Sequence, residues 1–436
     1  MEQLGFDPTA GRAGLKDLPT LPAVFALYGA EAKDEPYVGR TPNLRGRLER
    51  LLVPSEKHPR RLQLASRVKR IAWQPAGSEF ESLLAQFSLL EEIYGAKALE
   101  RMHLRHPAFV RYLGGNRFPR ITVTHRPSQR EADWAYGPFP SRAAAERFVD
   151  EALKLFLLRR CTDELEPHPN HPGCIYSEMK MCLAPCFKGC TDQRYAQEAT
   201  AVESFLSTRG QSRLVVLRGE REQASARLQF EEAAAIHSQV QRVEGVRSLA
   251  PELVRPLSRL RAVILQASAQ PDEVAVFLYE NGRLRGPAGF STVGMRIQNE
   301  QSGSTSLFAQ PMALEPIPET PVLEGQISAA PLPELRTPET PAVDAVPEAP
   351  ARPARGVLEA RMEEALAALT EPAGPPSATI RQGHLALLKR WYYRPEVRRT
   401  GEIFFPDDEV RWPVKAMLRG VGRVFAAKIK SQLSGS

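Results

Sequence analysis

LRRCTDELEPHPNHPGCIYSEMKMCLAPCFKGC, residues 158–190, holds all five cysteines of a 436-residue chain: Cys161, Cys174, Cys182, Cys186 and Cys190. The first four are spaced C-x12-C-x7-C-x3-C, and Pro185 directly precedes the fourth thiol. Four thiolates gathered by loops and helical turns can hold a tetrahedral zinc ion or a cubane iron–sulfur cluster. The pattern lacks the paired CxxC of zinc ribbons, and clustered thiols packing as small apolar groups are the plain structural alternative. An odd number of cysteines confined to one segment argues for a reducing compartment and against a disulfide framework. His168 and His171 lie inside the loop and read as surface residues.

Outward from this segment the periodicities fall into units. On its N-terminal side Ser141 caps a helix running to about Leu158, after a β-like run at Arg120–His125 and a loop at Ala135–Pro140. Farther back, Leu21 to Tyr37 reads as a β-hairpin. Thr41 to Leu52 reads as a helix capped by Thr41, with Leu44, Leu48, Leu51 and Leu52 on one face and Arg45, Arg47 and Arg50 also aboard. Ser78 caps a second helix to Ile93, with Glu81 at the capping-box position. The first hundred residues therefore read as a small α/β unit.

On the C-terminal side, Leu217 to Val246 suits a helical pair, and Val263 to Leu284 suits strands around the turn Asn281-Gly282. Between Ser302 and Arg355 the composition turns to Pro, Glu, Ala and Thr, the signature of a disordered linker. Gly356–Leu369 reads as a helix. The tail from Ile380 to Lys430 mixes Lys and Arg with Trp391, Tyr392, Tyr393, Phe404, Phe405 and Trp412. Such interleaving can track a nucleic-acid backbone and stack on bases, or it can be the core of a small helical domain, which is the plainer reading.

A net charge of +7 suits a polyanionic partner, nucleic acid first, although moderate basicity also serves solubility. No apolar run approaches the roughly 18 residues of a membrane span, and the N-terminus lacks a secretory pattern. A cytoplasmic protein without a membrane association is expected.

The residues around the cysteines resemble the middle of the excinuclease C subunit (UvrC) family of bacterial nucleotide excision repair. The resemblance rests on Tyr136-Gly137-Pro138-Phe139-Pro140-Ser141, the helix after it, Leu158-Arg159-Arg160-Cys161, and then Cys174, Cys182, Ala184, Pro185 and Cys186. It implies that Cys161, Cys174, Cys182 and Cys186 ligate a [4Fe–4S] cluster, with zinc as the runner-up. It also implies that the N-terminal hairpin is a GIY-YIG nuclease domain, with Pro22–Phe25 at the first motif and Tyr37-Val38-Gly39 at the second. Arg40 and Asn43–Leu48 continue the match.

On this resemblance the catalytic positions are Tyr37, Arg40, Arg47 and Gln86, acting with Mg2+ or Mn2+ on a phosphodiester of damaged duplex DNA. Such a reaction needs a group that activates water, a cation for the phosphate and a carboxylate that holds the metal. Three positions depart from the family pattern. Phe25 replaces the first-motif tyrosine, Leu51 a second tyrosine, and Gln86 the metal-binding glutamate, leaving an amide without the charge a hard dication wants. Neither Glu81 nor Glu91 shares the face of Gln86.

Residues Glu222–Val240, above all Leu228, Phe230, Glu231, Ala233 and Ala234, resemble the helical hairpin by which the family binds UvrB, departing at His237-Ser238 where the family has Arg-Asp. The expected architecture is a multidomain α+β chain: a GIY-YIG-like unit at 18–105, the cysteine region at 106–210, the UvrB-binding hairpin at 211–248, a β-rich region at 249–300, the linker at 301–356 and a basic, aromatic helical domain at 357–436. The expected function is metal-dependent incision of damaged DNA together with UvrB. The alternative is a catalytically eroded accessory that binds DNA, docks on UvrB and retains the cluster.

Overall fold

The computed structural model describes residues 1–31, 33–53, 64–295, 355–370, 374–408 and 410–434. Its architecture is mixed α and β, built on three four-stranded sheets in which every recorded pairing is antiparallel.

The first sheet comprises β1 (Glu2–Gly5), β2 (Ala23–Tyr28), β3 (Tyr37–Thr41) and β4 (Arg70–Pro75), in the order β1-β4-β2-β3. The α/β unit thus begins before residue 18, because β1 pairs with β4. β2 is a continuous apolar run and buries both faces. Ala23, Phe25 and Leu27 pack with the leucines of α1 (Leu44–Leu52), while Val24 and Ala26 meet Leu89 of α2 (Glu79–Tyr94). The cap of α1 is Asn43, whose Oδ1 accepts from the Gly46 amide at 2.8 Å; Thr41 instead ends β3. Ser78 caps α2 as expected, accepting from the Glu81 amide, but the Glu81 carboxylate reaches one residue farther back to the Gly77 amide at 2.8 Å. The short helix α3 (Ala98–Arg101) follows.

The second sheet has the order β6-β5-β7-β8, from β5 (Ala108–Tyr112), β6 (Ile121–Thr124), β7 (Ala135–Phe139) and β8 (Arg255–Pro256). The expected loop at Ala135–Pro140 is therefore mostly a strand, and all five residues of β7 are buried. Its Gly137-Pro138 bond is cis. Helix α4 (Arg142–Ala152), capped by Ser141, stops six residues short of the expected Leu158. The cysteine loop, with α5 (Ile175–Glu178), leads to α6 (Asp192–Ser207), α7 (Gln211–Ala226) and α8 (Phe230–Ser248). β5, β7 and these long helices enclose one core around Tyr112, Phe139, Phe148, Tyr195 and Phe205.

The third sheet has the order β11-β10-β9-β12, from β9 (Ala262–Ala267), β10 (Glu273–Glu280), β11 (Arg283–Ser291) and β12 (Glu402–Phe404). Asn281 and Gly282 take positive φ values of 52° and 76°, the backbone that a tight two-residue hairpin turn demands. One face of this sheet packs on α9 (Arg355–Leu369) and α11 (Val414–Ser434) through Met362, Met417 and Val421. The other face packs on α2 and on α10 (Ala378–Tyr392) through Phe277, Phe80, Phe87 and Trp391. The two units expected at 249–300 and 357–436 thus share one sheet and one core, since β12 pairs with β9.

Trp391 and Phe405 are core residues, in line with the plainer reading of the aromatic tail. α11 runs unbroken through Gly420 and Gly422. Apart from its last two residues, the expected linker at 301–356 lies outside the described residues. Among the described residues no helix is long and apolar enough to cross a membrane.

Candidate functional site

A cavity of about 820 Å³ opens at the N-terminal end of α2. Arg40 of β3, Ser82 and Gln86 of α2, Arg101 and His103 beside α3, and Arg390 of α10 are among the residues lining it. Glu79, Ser82 and Gln86 fall at i, i+3 and i+7 on α2, so one helix face carries them all into the cavity. Arg40 Nη1 lies 3.5 Å from Ser82 Oγ and 3.9 Å from Glu79 Oε1. Glu79, the sole carboxylate in this lining, is gripped by Arg394, whose Nη1 and Nη2 donate to its two oxygens at 2.7 and 2.6 Å. That fork holds the Glu79 carboxyl below its ordinary pKa, with burial opposing. Burial lowers the pKa of Arg40; Glu79 counters this, and Arg390 and Arg394 reinforce it.

These residues do not fit a divalent cation. Gln86 offers a neutral amide, Glu79 is already engaged by guanidinium groups, and the remaining charges of the lining are positive. Glu81 lies outside this lining, largely buried beside Val24, Leu84 and Phe277, and burial raises its pKa.

Alternation along β3 sends Tyr37 and Arg40 to opposite faces of the strand. Arg47 Nη2 donates to the Tyr37 hydroxyl at 3.3 Å, leaving the phenolic proton free to point elsewhere. Phe25 pairs with Gly39 across β2 and β3, and its ring lies 6.1 Å from that of Tyr37. Phe25 and Leu51 are buried with α1, so both departures from the tyrosine pattern are core residues. The four expected catalytic positions therefore form two pairs, Tyr37 with Arg47 and Arg40 with Gln86.

The face shared by Glu79 and Gln86 was available in the helix pattern and points to Glu79, which the family motif does not single out. Arg390 and Arg394 carry no local signal, because they stand 300 residues away in sequence.

In the cysteine loop, Arg159 Nη1 lies 3.8 Å from Cys161 Sγ, and the Ala184 amide donates to Cys182 Sγ at 3.3 Å. Ala184 and Lys188 adopt left-handed backbone around Cys186, and the His168 amide donates to the Cys186 carbonyl at 3.0 Å. Burial pushes the Cys182 thiol up to about 11, and Cys161, Cys174 and Cys186 add to the shift. Cys190 feels Cys186 alone of the four, and it packs against the neighbouring core. The four expected ligands thus share one neighbourhood that the fifth cysteine only borders. Among the described residues no three His, Cys, Asp or Glu side chains stand close enough to enclose a single ion.

The hairpin of α7 and α8 is closed by Leu217, Ala224, Ile236, Val240 and Val243 and clasped by Arg218–Glu244 at 2.8 Å. At its tip Leu228, with φ 60°, and Phe230 are 71% and 66% exposed. Glu231 and Ala234 are exposed beside them and Ala233 is half-buried. An apolar tip on a charged hairpin is a surface without a partner among the described residues.

Residues 109–205 match the family model of the UvrC/Cho excinuclease middle domain. The chain is 29% identical over 225 residues to UvrABC system protein C of Alcanivorax borkumensis, covering 52% of this chain and 37% of that protein. Against UvrABC system protein C of Aliivibrio fischeri it is 30% identical over 240 residues, 54% of this chain and 38% of the relative. The protein of the same name from Neisseria gonorrhoeae is 27% identical over 235 residues. The chain therefore spans less than two fifths of the length of these relatives. No solved structure matches it. Over residues 109–205 by the family model, and over about half of its length by these relatives, the chain is therefore similar to the UvrC family.

Proposed function

We propose that this chain acts in nucleotide excision repair, binding damaged duplex DNA and UvrB, with phosphodiester incision as its chemistry. The observation that carries the reading is the matched middle domain, flanked by a cation-lined cavity on one side and an apolar-tipped hairpin on the other. In this proposal Arg40 binds a backbone phosphate. Arg47 orients Tyr37, whose proton is then directed to water or phosphate. Leu228, Phe230, Glu231, Ala233 and Ala234 meet UvrB. The family's metal chemistry would require an unengaged carboxylate, whereas Glu79 in this cavity is held by Arg394, so no step is assigned to Mg2+ or Mn2+.

One observation favours the second reading, an accessory that binds DNA and UvrB without cutting: Gln86 is an amide, and Arg394 occupies Glu79. Incision of a lesion-bearing duplex by the purified chain with UvrB and Mg2+ or Mn2+ decides between them. Cutting that disappears in Tyr37→Phe and Arg47→Ala supports the enzyme; DNA binding with no cutting supports the accessory. Gln86→Glu is expected to create or raise cutting if the ligand alone is missing.

We also propose that Cys161, Cys174, Cys182 and Cys186 hold a [4Fe–4S] cluster. Four thiols in one neighbourhood fit the donor set, and the N–H groups of Arg159 and Ala184 lie against two of the sulfurs, as cluster sites favour. Stoichiometric zinc in the anaerobically purified protein would refute iron.

A further inference from the structure

We propose that α10 completes the Arg40 cavity as a phosphate-binding cleft, with Arg390 as a second binding residue that grips the DNA backbone without a metal ion. The inference rests on the reading that this cavity receives DNA, and it adds a residue that no family motif supplies.

Helix α10 is fixed against α2. A Cβ on Gly383 would stand 2.1 Å from the Phe87 ring, so only glycine allows this approach. His384 meets Phe87 edge-on at 5.4 Å, and Trp391 packs 5.4 Å from Phe80. With that face buried, Arg390 in the last turn of α10 and Arg394 just past its end lie toward the start of α2. They divide the work. Arg394 neutralises Glu79 through its two-pronged ion pair and so removes the lining's one negative charge. Arg390 is exposed at the cavity and makes no hydrogen bond or ion pair among the described residues.

The other cations differ in how far they are committed. Arg101 is held by Glu35 at 2.7 Å and stacks over Tyr94. Arg40 is half-buried and only loosely engaged by Glu79 at 3.9 Å. Arg40 and Arg390 therefore remain as two guanidinium groups lining one cleft, close enough for Arg390 to lower the pKa of Arg40. Planar guanidinium forks suit the paired oxygens of a phosphodiester, and with the carboxylate engaged the cleft attracts an anion and repels a cation.

The test uses the full chain and a fluorescein-labelled, adduct-bearing DNA duplex, titrated by anisotropy in EDTA over a salt series. Arg390→Ala is expected to weaken binding about fivefold to tenfold and to reduce the slope of log affinity against log salt by about one, the mark of one lost phosphate contact. Arg390→Lys should recover part of the loss. Arg40→Ala combined with Arg390→Ala should cost less than the product of the two single losses, because both groups grip one phosphate. Arg398→Ala, an exposed arginine outside the cavity lining, should bind as the parent does. Arg390 is exposed, so an unchanged melting temperature shows that the loss is one of contact.

Parent-like affinity and salt slope in Arg390→Ala, with Arg40→Ala weakened, would overturn this inference and leave the DNA-binding cavity standing. Parent-like binding in both variants and in the double variant would overturn both readings. Abolition of parent binding by EDTA would overturn the metal-free grip.

Discussion

The cysteine segment and the Arg40 cavity are built from opposite materials. The four thiols that share a neighbourhood come from a stretch of 26 residues, Cys161 to Cys186, shaped by its own turns and caps. The cavity takes Arg40 from a strand, Ser82 and Gln86 from a helix, and Arg390 from a helix 300 residues on. A local site keeps its donors at fixed spacing. A site assembled from distant pieces can be re-lined by one of them, and here α10 brings Arg390 to a lining whose carboxylate, Glu79, is engaged by Arg394.

The sharpest way to break that contrast is Cys182→Ser. It should abolish the absorbance near about 400 nm expected of iron–thiolate charge transfer, whereas Cys190→Ser should leave it intact. If Cys190→Ser also removes it, the boundary drawn between four cysteines and the fifth is wrong.

Next in size is the hairpin tip, another local site. Phe230→Asp should weaken UvrB binding by an order of magnitude or more, as loss of an exposed aromatic anchor does, and should leave DNA affinity and melting temperature near the parent. Equal UvrB binding, measured by titration calorimetry, would remove the tip from the interface.

Gly383→Ala tests the assembled site. The added methyl must displace the Phe87 ring, costing about 1–3 kcal/mol of stability as overpacking does. DNA affinity should fall with it while the cysteine absorbance stays, read in one sample by melting, anisotropy and absorbance. Joint loss of all three would show that the two regions are not independent.

The smallest effect concerns Glu79. Its carboxyl is held below the ordinary value of 4.5, first by the hydrogen bonds from Arg394. The stabilisation it brings is therefore present above that ordinary value and is lost as pH falls through the lowered one. The side chain is nearly half exposed, so the contribution is modest. Melting temperature followed against pH should show a small acid-side loss in the parent that is absent in Arg394→Ala.

These contrasts also explain what could be read from the sequence. Helix α2 was legible because its signals are local: a Ser78 cap, an acidic first turn and a buried face. The helical pair over 217–246 was legible for the same reason, but the exposed turn at Leu228–Phe230 that divides it was not. Strand β7 was not, since Gly137, Pro138 and Pro140 carry turn chemistry and only pairing with β5 and β8 makes the segment a strand. The cap of α1 slipped from Thr41 to Asn43 because both residue types can cap and the ladder with Ala23 claims Thr41 for β3. β12 has three residues, too few for a period, and exists through its pairing with β9. The ion pair between Glu79 and Arg394 spans 315 positions, and no local pattern encodes it.

The β9–β12 ladder and the seat of α10 on α2 also bear on how the chain could be divided. Residues 1–295 carry three strands of the third sheet, and the C-terminal piece from residue 355 carries the fourth together with three helices of its core. The two pieces are bound by strand pairing, packed aromatics and the fork on Glu79. Expressed as separate polypeptides, they hold complementary halves of one interior, which makes this protein a candidate for a split reporter whose reassembly restores the cleft.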